Sequence, residues 1–473
     1  MIPTLNKPTF MREEVNPTLT PAMEAAISVW LSNQATTDSK SVHALRQSAF
    51  STLKKIGLPH SGSEDFTFIR TGEFLPHLGI PVFDKTKTDF RLTPSQLQEL
   101  IFPECRANYI VLIDSLYAPE LSKPSHGYQV KALNKSTSAS LSTVINTETD
   151  TVAAMAALFA QQPLLIEISA EAKVQNPLQI LHYQTKANKR TDSFIVIQSQ
   201  KLSEGRVLVR HATALIEGDA AGTSTSMLNS HTVALIGEGA SLQYLESGSE
   251  GNATAIHFRK LTASVDRGSR LTAVSAHTGS KLLRNSFAID LNGEGAEVDI
   301  YGATVLTGKR QAHTFLRIRH LVPHCTSRQH FKSVAADNSK SSVNGTIFVA
   351  KDAQGTNAYQ LINNLMLSDE ARTDSKPQLM IFADDVKCTH GATTGKLDPA
   401  QQFYLESRGL NPIQARTLMT VAFIAEILEK AGKHETKAGD TLLGFRATVD
   451  HALLDTLKLK LPEIKGGQNA AQP

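Results

Sequence analysis

Apolar residues recur in two rhythms along this 473-residue chain. Near the N-terminus the rhythm is helical. Met23, Ile27, Trp30 and Leu31 follow Thr20 and Pro21, which read as a cap and a first-turn proline. Val42, Leu45, Ala49, Leu53 and Ile56 form a second stripe, stopped by Gly57 and Pro59. Residues 106–115 read as a buried strand. Residues 122–151, rich in Ser, Thr, Lys and Asn, read as a long polar loop or linker, and 151–160 as a short closing helix.

From about residue 164 to 382 the rhythm changes to alternation. Leu164-Leu-Ile-Glu-Ile-Ser, Phe194-Ile-Val-Ile and Arg206-Val-Leu-Val-Arg are strand-like. Three segments repeat a strand, a glycine turn and a second strand, beginning at Thr232, Leu261 and Phe287. Their turn glycines are Gly239, Gly268 and Gly295, at steps of 29 and 27 residues. Units of that length cannot bury their own apolar face, so the repeat points to a stacked parallel β-helix. A β-sandwich with evenly spaced hairpins is the alternative.

After Gly395 the helical rhythm returns. Asp398 and Pro399 open one helix through Phe403, Tyr404 and Leu405, stopped at Gly409. Asn411 and Pro412 open a stronger one. Its apolar residues, Leu418, Phe423, Ile424 and Leu428 among them, cover most of its circumference, so it is expected to be buried on more than one side. A last amphipathic segment spans 449–461, followed by a tail expected to be disordered. The expected organisation is a mainly β chain. A mixed helical region with a polar linker occupies 1–160, the β-helix core 161–395, and a helical domain 396–473.

A hydrophobic share of 41% with 20% charged residues suits a folded protein. A net charge of +3, with no basic run, argues against nucleic acid as partner. Three cysteines are too few, and odd in number, for a disulfide framework, so free thiols in a reducing compartment are expected. No apolar run reaches the roughly 18 residues of a membrane span, and the N-terminus lacks a secretion layout. The expectation is a cytoplasmic protein.

The stretch Ala383-Asp-Asp-Val-Lys-Cys-Thr-His-Gly-Ala carries the chemistry. Cys388 and His390 are two apart, so in a strand they share a face. A thiolate and an imidazole are ligand types that iron and iron–sulfur centres use. Lys387 is expected to lower the thiol pKa. Two ligands do not complete a four-coordinate centre and no CxxC is present, so a centre here must be shared with another chain or be transient. A buried inert cysteine beside a surface histidine is the other reading. His320, His324, Cys325 and His330 form a second group; His324 and Cys325 fall on opposite strand faces, and His320 and His324 read as solvated loop residues. Asp384 and Asp385 read as turn or surface residues. The chain carries no P-loop, GxSxG or HExxH and no convincing GxGxxG, and the Gly-Glu-Gly pairs fall in register with the repeat as turns. No enzymatic activity is expected of it; an ATP-driven process would need a partner ATPase.

Four motifs between His320 and Leu428 resemble the SufB/SufD family of the SUF iron–sulfur assembly machinery, in its SufD branch. They are Asp352-Ala-Gln-Gly-Thr-Asn-Ala-Tyr-Gln, where Gly355 and Asn357 depart from the family pattern; Asn363-Asn-Leu-Met-Leu-Ser; Ala383 to Gly395, with Thr389 where serine is usual; and Phe403-Tyr-Leu-Glu-Ser-Arg-Gly. His390-Gly-Ala-Thr behind a cysteine is the SufD form; SufB-like chains read His-Glu-Ala-Thr. The resemblance implies a right-handed parallel β-helix flanked by helices. It implies pairing with SufB through the β-helices and binding of the SufC ATPase through the C-terminal helices, with Phe403, Tyr404, Arg408, Leu418, Phe423 and Leu428 at that face. It also implies that Cys388 and His390 are ligands of a nascent, transient cluster completed by SufB. It leaves flavin and self-pairing open. The competing readings are a purely structural role for both residues and a β-helix carbohydrate-active enzyme.

Overall fold

The computed structural model describes residues 19–60, 63–79, 92–124, 127–133, 141, 148–185, 190–213, 225–248, 254–432 and 443–456. Helices α1 (Pro21–Gln34), α2 (Lys40–Ile56), α3 (Pro94–Leu100) and α4 (Thr151–Phe159) precede the main body, and α5 (Pro399–Ser407), α6 (Pro412–Gly432) and α7 (Leu443–Thr456) follow it. The caps read from sequence are formed. Thr20 accepts from the Met23 N–H, Asp398 from the Ala400 N–H, and Asn411 and Gln414 cap each other reciprocally. The expected tail lies outside the described residues.

The body is a parallel β-solenoid of two facing sheets, as the repeat predicts, and not a sandwich of hairpins. The first sheet holds Tyr109–Ile113 (β1) with Leu116–Tyr117 (β2) folded back on it. Beyond β1 stack Leu178–Gln184 (β5), Glu204–Thr213 (β7), Ser241–Gly248 (β9), Arg270–His277 (β11), Glu297–Leu306 (β13), Thr326–Ala335 (β15), Thr356–Met366 (β17) and Val386–Gly395 (β19). The second sheet runs from Tyr128–Ala132 (β3) through Leu164–Ile168 (β4), Arg190–Ser199 (β6), Met227–Ile236 (β8), Ile256–Val265 (β10), Leu282–Leu291 (β12), Gln311–His320 (β14) and Lys340–Val349 (β16) to Arg372–Ile381 (β18). The polar stretch 122–151 thus contains a strand, β3, which pairs antiparallel with β4 at the sheet margin. Its half-exposed sequence Tyr-Gln-Val-Lys-Ala hid it, since an edge strand buries little.

Each coil turns through a residue in left-handed conformation. Gly239, Gly268, Gly295 and Gly355 have φ of 65°, 60°, 72° and 70°. Glu171, Leu202 and His324 take the same conformation at the equivalent turns. The backbone N–H there reaches the next coil: Leu202 to the Glu238 carbonyl at 2.9 Å, Gly239 to Arg267 at 2.9 Å, and Gly355 to Asp385 at 2.7 Å. Turn geometry therefore sets coil spacing. Glycine adopts it without strain, and the stacking bond holds the other residues in it.

Inside the solenoid, side chains one coil apart form columns. One runs Leu271, Val298, Ser327, Ala358, Cys388; the next runs Ala273, Ile300, Gln329, Gln360, His390. The inner core also takes Leu261, Phe287, Ile318 and Val343 from the opposite sheet. The outer face of the second sheet is covered by α2 and α4, and that of the first by α3 and α6. Strands hidden on both faces explain the long apolar runs. Lys260 and Arg284 on the outer face of the second sheet pair with Glu148 and Asp150, all four buried, and tie the N-terminal region to the solenoid. No helix among the described residues is long and apolar enough to cross a membrane.

Candidate functional site at the open end of the solenoid

The stack ends at β18 and β19. Among the described residues each pairs with one neighbour only, β18 with β16 and β19 with β17. Each therefore offers a free row of backbone donors and acceptors, the usual template for adding another strand. Pro377 in β18 fits that position, because an edge strand tolerates a missing N–H.

Cys388 and His390 lie on β19 and share its inward face, as their spacing predicts. Cys388 is half-buried and packs on a small cluster formed by Ile347, Val349, Ala353, Ala358 and Ala383. His390, two residues on, is exposed, because no further coil among the described residues covers it. The expectation for Lys387 is corrected. Lys387 occupies the opposite face, and burial pushes the Cys388 thiol up from its ordinary pKa, with the Ala358 backbone acting the other way. The apolar floor, and not a neighbouring cation, sets that thiol. Asp384 and Asp385 sit in an exposed bend before β19.

The second histidine group does not assemble. His320 is a correction: it is fully buried inside the solenoid, 2.9 Å from Ser327 Oγ through Nε2. Burial holds its pKa down to about 4. Cys325 is buried and donates to the Gly293 carbonyl at 3.3 Å. His324 is exposed in the left-handed turn, and His330 bonds Asn363 Oδ1 on the outer face at 2.9 Å. Among the described residues no three His, Cys, Asp or Glu side chains are placed to hold a metal ion.

Sequence reasoning missed two features of this end. Met380, Ile381 and Phe382 are exposed together where β18 ends, with Phe382 against Phe348 at 5.5 Å. Three such residues in succession form an apolar patch beside the edge strands. Beneath His390, two glutamines occupy the interior. Gln360 donates through Nε2 to Gln329 Oε1 at 3.0 Å, and Gly345 opposite leaves room for its amide. The parity of β17 places Gln360 between Ala358 and Ile362 on the inner face, a signal that alternation alone would have given.

The C-terminal helices divide. Phe403, Tyr404 and Leu418 are exposed, and Arg408 stacks over the Tyr404 ring at 5.2 Å. Leu428 is buried, and Phe423 half-buried, against the first sheet, where Lys332 lies over the Phe423 ring at 4.4 Å and pairs with Glu426. The solenoid itself takes up these two side chains, so of the six only Phe403, Tyr404, Arg408 and Leu418 remain exposed. A groove of about 720 Å³ on the second sheet lies away from β19; Arg319 and Asp290 in its wall satisfy each other.

The family model of the SUF system FeS cluster assembly SufBD core domain matches residues 183–423. A Synechocystis protein described as an iron–sulfur cluster assembly SufBD family protein is 26% identical over 404 residues, 81% of this chain and 86% of its own length. The iron–sulfur cluster assembly protein SufD of Escherichia coli is 39% identical over 151 residues, 32% of this chain and 36% of that protein. A SufBD family protein of Mycobacterium tuberculosis is 28% identical over 206 residues, 42% of this chain and 51% of its own length.

Proposed function

Since this chain belongs to the SufBD family of the SUF iron–sulfur assembly system, we propose that it is a non-catalytic scaffold subunit whose open solenoid end docks a SufB-type partner. The observation that carries this is the coincidence at one end of two free strand edges, the apolar patch of Met380, Ile381 and Phe382, and the thiol–imidazole pair. A second β-helix meeting those edges would extend the sheets and cover the patch. Cys388 and His390 would then face the partner's residues. Two ligands from this side and the remainder from the other make a shared, transient site for a nascent cluster, which is cargo and not a resident cofactor.

The exposed face of Phe403, Tyr404, Arg408 and Leu418 is the second docking surface, assigned to a SufC-type ATPase. Aromatic residues with a stacked arginine are the composition of interface hot spots. α6 is bound to the solenoid through Ile424, Ile427 and Leu428, so force applied at α5 and α6 is delivered to the first sheet, the sheet that ends in β19.

Co-expression with SufB and SufC partners, followed by the mass of the purified assembly, tests the docking claims. One copy of this chain with one SufB and two SufC supports the reading; a chain that purifies alone sinks it. Cys388→Ser and His390→Ala in the same complex separate the roles. Lost iron and sulfide with an intact complex marks ligands, and a lost complex marks a structural contact.

A further inference from the structure

One inward column of the first sheet turns from apolar to polar as it nears the open end. The column Ala273, Ile300 changes to Gln329, Gln360, His390. Gln329 and Gln360 are both fully buried. Gln360 gives its amide N–H to Gln329 Oε1, one coil back. Gln329 gives its own to Ser327 Oγ at 3.4 Å, and Ser327 meets His320 Nε2 at 2.9 Å. Gln360 Oε1 is left without a partner among the described residues. A buried amide oxygen with no donor is costly unless a group arrives to satisfy it. With the nitrogen engaged by Gln329, the oxygen is the amide atom still open to a donor. His390 is the in-register neighbour, one strand spacing of about 4.8 Å away.

We infer that Gln360 is a positioning residue for His390: its carbonyl accepts the N–H of one imidazole nitrogen and so commits the other to the open end. This rests on the ligand role proposed for His390. A ligating histidine characteristically donates its second ring N–H to a fixed acceptor, which sets the tautomer and the ring direction and strengthens the ligand. The chain from His320 to Gln360 fixes the acceptor. Gly345 serves the same end: a Cβ there would lie 2.1 Å from Gln360 Nε2.

The test uses the full chain in its co-purified SUF complex, titrated anaerobically with Fe(II) and sulfide. Gln360→Met keeps the volume and removes the acceptor. It is expected to raise the iron concentration for half-loading about tenfold while leaving the final loading and the complex mass unchanged. Gln360→Glu, protonated in that buried setting, keeps both a carbonyl acceptor and a donor to Gln329 and is expected to load as the unsubstituted chain does. Half-loading unchanged in Gln360→Met overturns the inference. So does Gln360→Glu loading as poorly as Gln360→Met. If Gln360→Met does not assemble, Gln360→Glu decides alone: unchanged half-loading sustains the inference and a tenfold shift overturns it. His390→Ala serves as reference. If it loads iron normally, the ligand reading of His390 itself fails; if it loses iron while Gln360→Met does not, only the inference about Gln360 fails.

Discussion

The middle coils and the last coil are built from the same strand and turn, yet they treat polar chemistry in opposite ways. In the middle, histidines are sealed in. His182 and His231 are buried, and burial holds each pKa down to about 4; His313, also buried, is held down to about 3. At the end, Cys388 is half-buried and His390 is exposed. The difference is one missing neighbour. A strand with partners on both sides has its backbone paired and its side chains covered within the chain; among the described residues the terminal strand is paired and covered on one side only. Reactive groups are therefore available where the stack stops, and a partner that continues the stack would meet them.

The largest effect that separates the two regions is packing. Phe287→Ala, in the middle of the inner core at 1% exposure, is expected to destabilise the chain by about 3–5 kcal/mol. Phe382→Ala, at 55% exposure on the open end, is expected to change the stability of the isolated chain by less than about 0.5 kcal/mol and to weaken association with the partner. Chemical denaturation of both variants, with co-purification of the second, checks the pair. Equal destabilisation would mean that the end is as self-contained as the middle.

Acid is the next probe. His182, His231, His313 and His320 have folded pKa values of about 4, 4, 3 and 4, all below the ordinary 6.5. Between those values the unfolded chain binds protons that the folded chain does not, so stability present above pH 6.5 is lost as pH falls toward 4. Glu148 and Asp150, held down by Lys260 and Arg284 against the cost of burial, add to the loss at lower pH. Asp65 opposes it. Burial raises its pKa to about 6, so its contribution is present below 3.8 and lost as pH rises through 6. Asp192, which burial also pushes up, acts in the same sense as Asp65; four histidines and two carboxylates outweigh these two groups, and the melting temperature is expected to fall from pH 7 to pH 4. His182→Phe should flatten part of that slope.

A small effect on stability, under about 1 kcal/mol, is also expected for Cys388→Ser, because the thiol packs on its cluster from one side. In the proposed complex, iron per assembly should fall while the melting temperature changes little. A clear loss of stability would make Cys388 a packing residue and blur the contrast between the regions.

The rhythm of the sequence was enough to determine the stacked coil, because a strand buried on both faces and a turn that needs positive φ leave direct marks. Gly239, Gly268 and Gly295 carried that signal. Glu171, Leu202 and His324 occupy the same turn unannounced, since their left-handed backbone is held by the hydrogen bonds their N–H groups donate to the next coil. The shared face of Cys388 and His390 was legible from a spacing of two. The tertiary structure alone decided that their strand is the last of the stack, because sequence alternation does not say which strand lacks a neighbour. It also decided that His320 lies inside and that Lys387 leaves the thiol alone. Both depend on which face of a strand meets the core. Leu428 went to the solenoid and Leu418 stayed exposed for the same kind of reason: a helix that is apolar nearly all round specifies burial, and only the surface it meets selects the side.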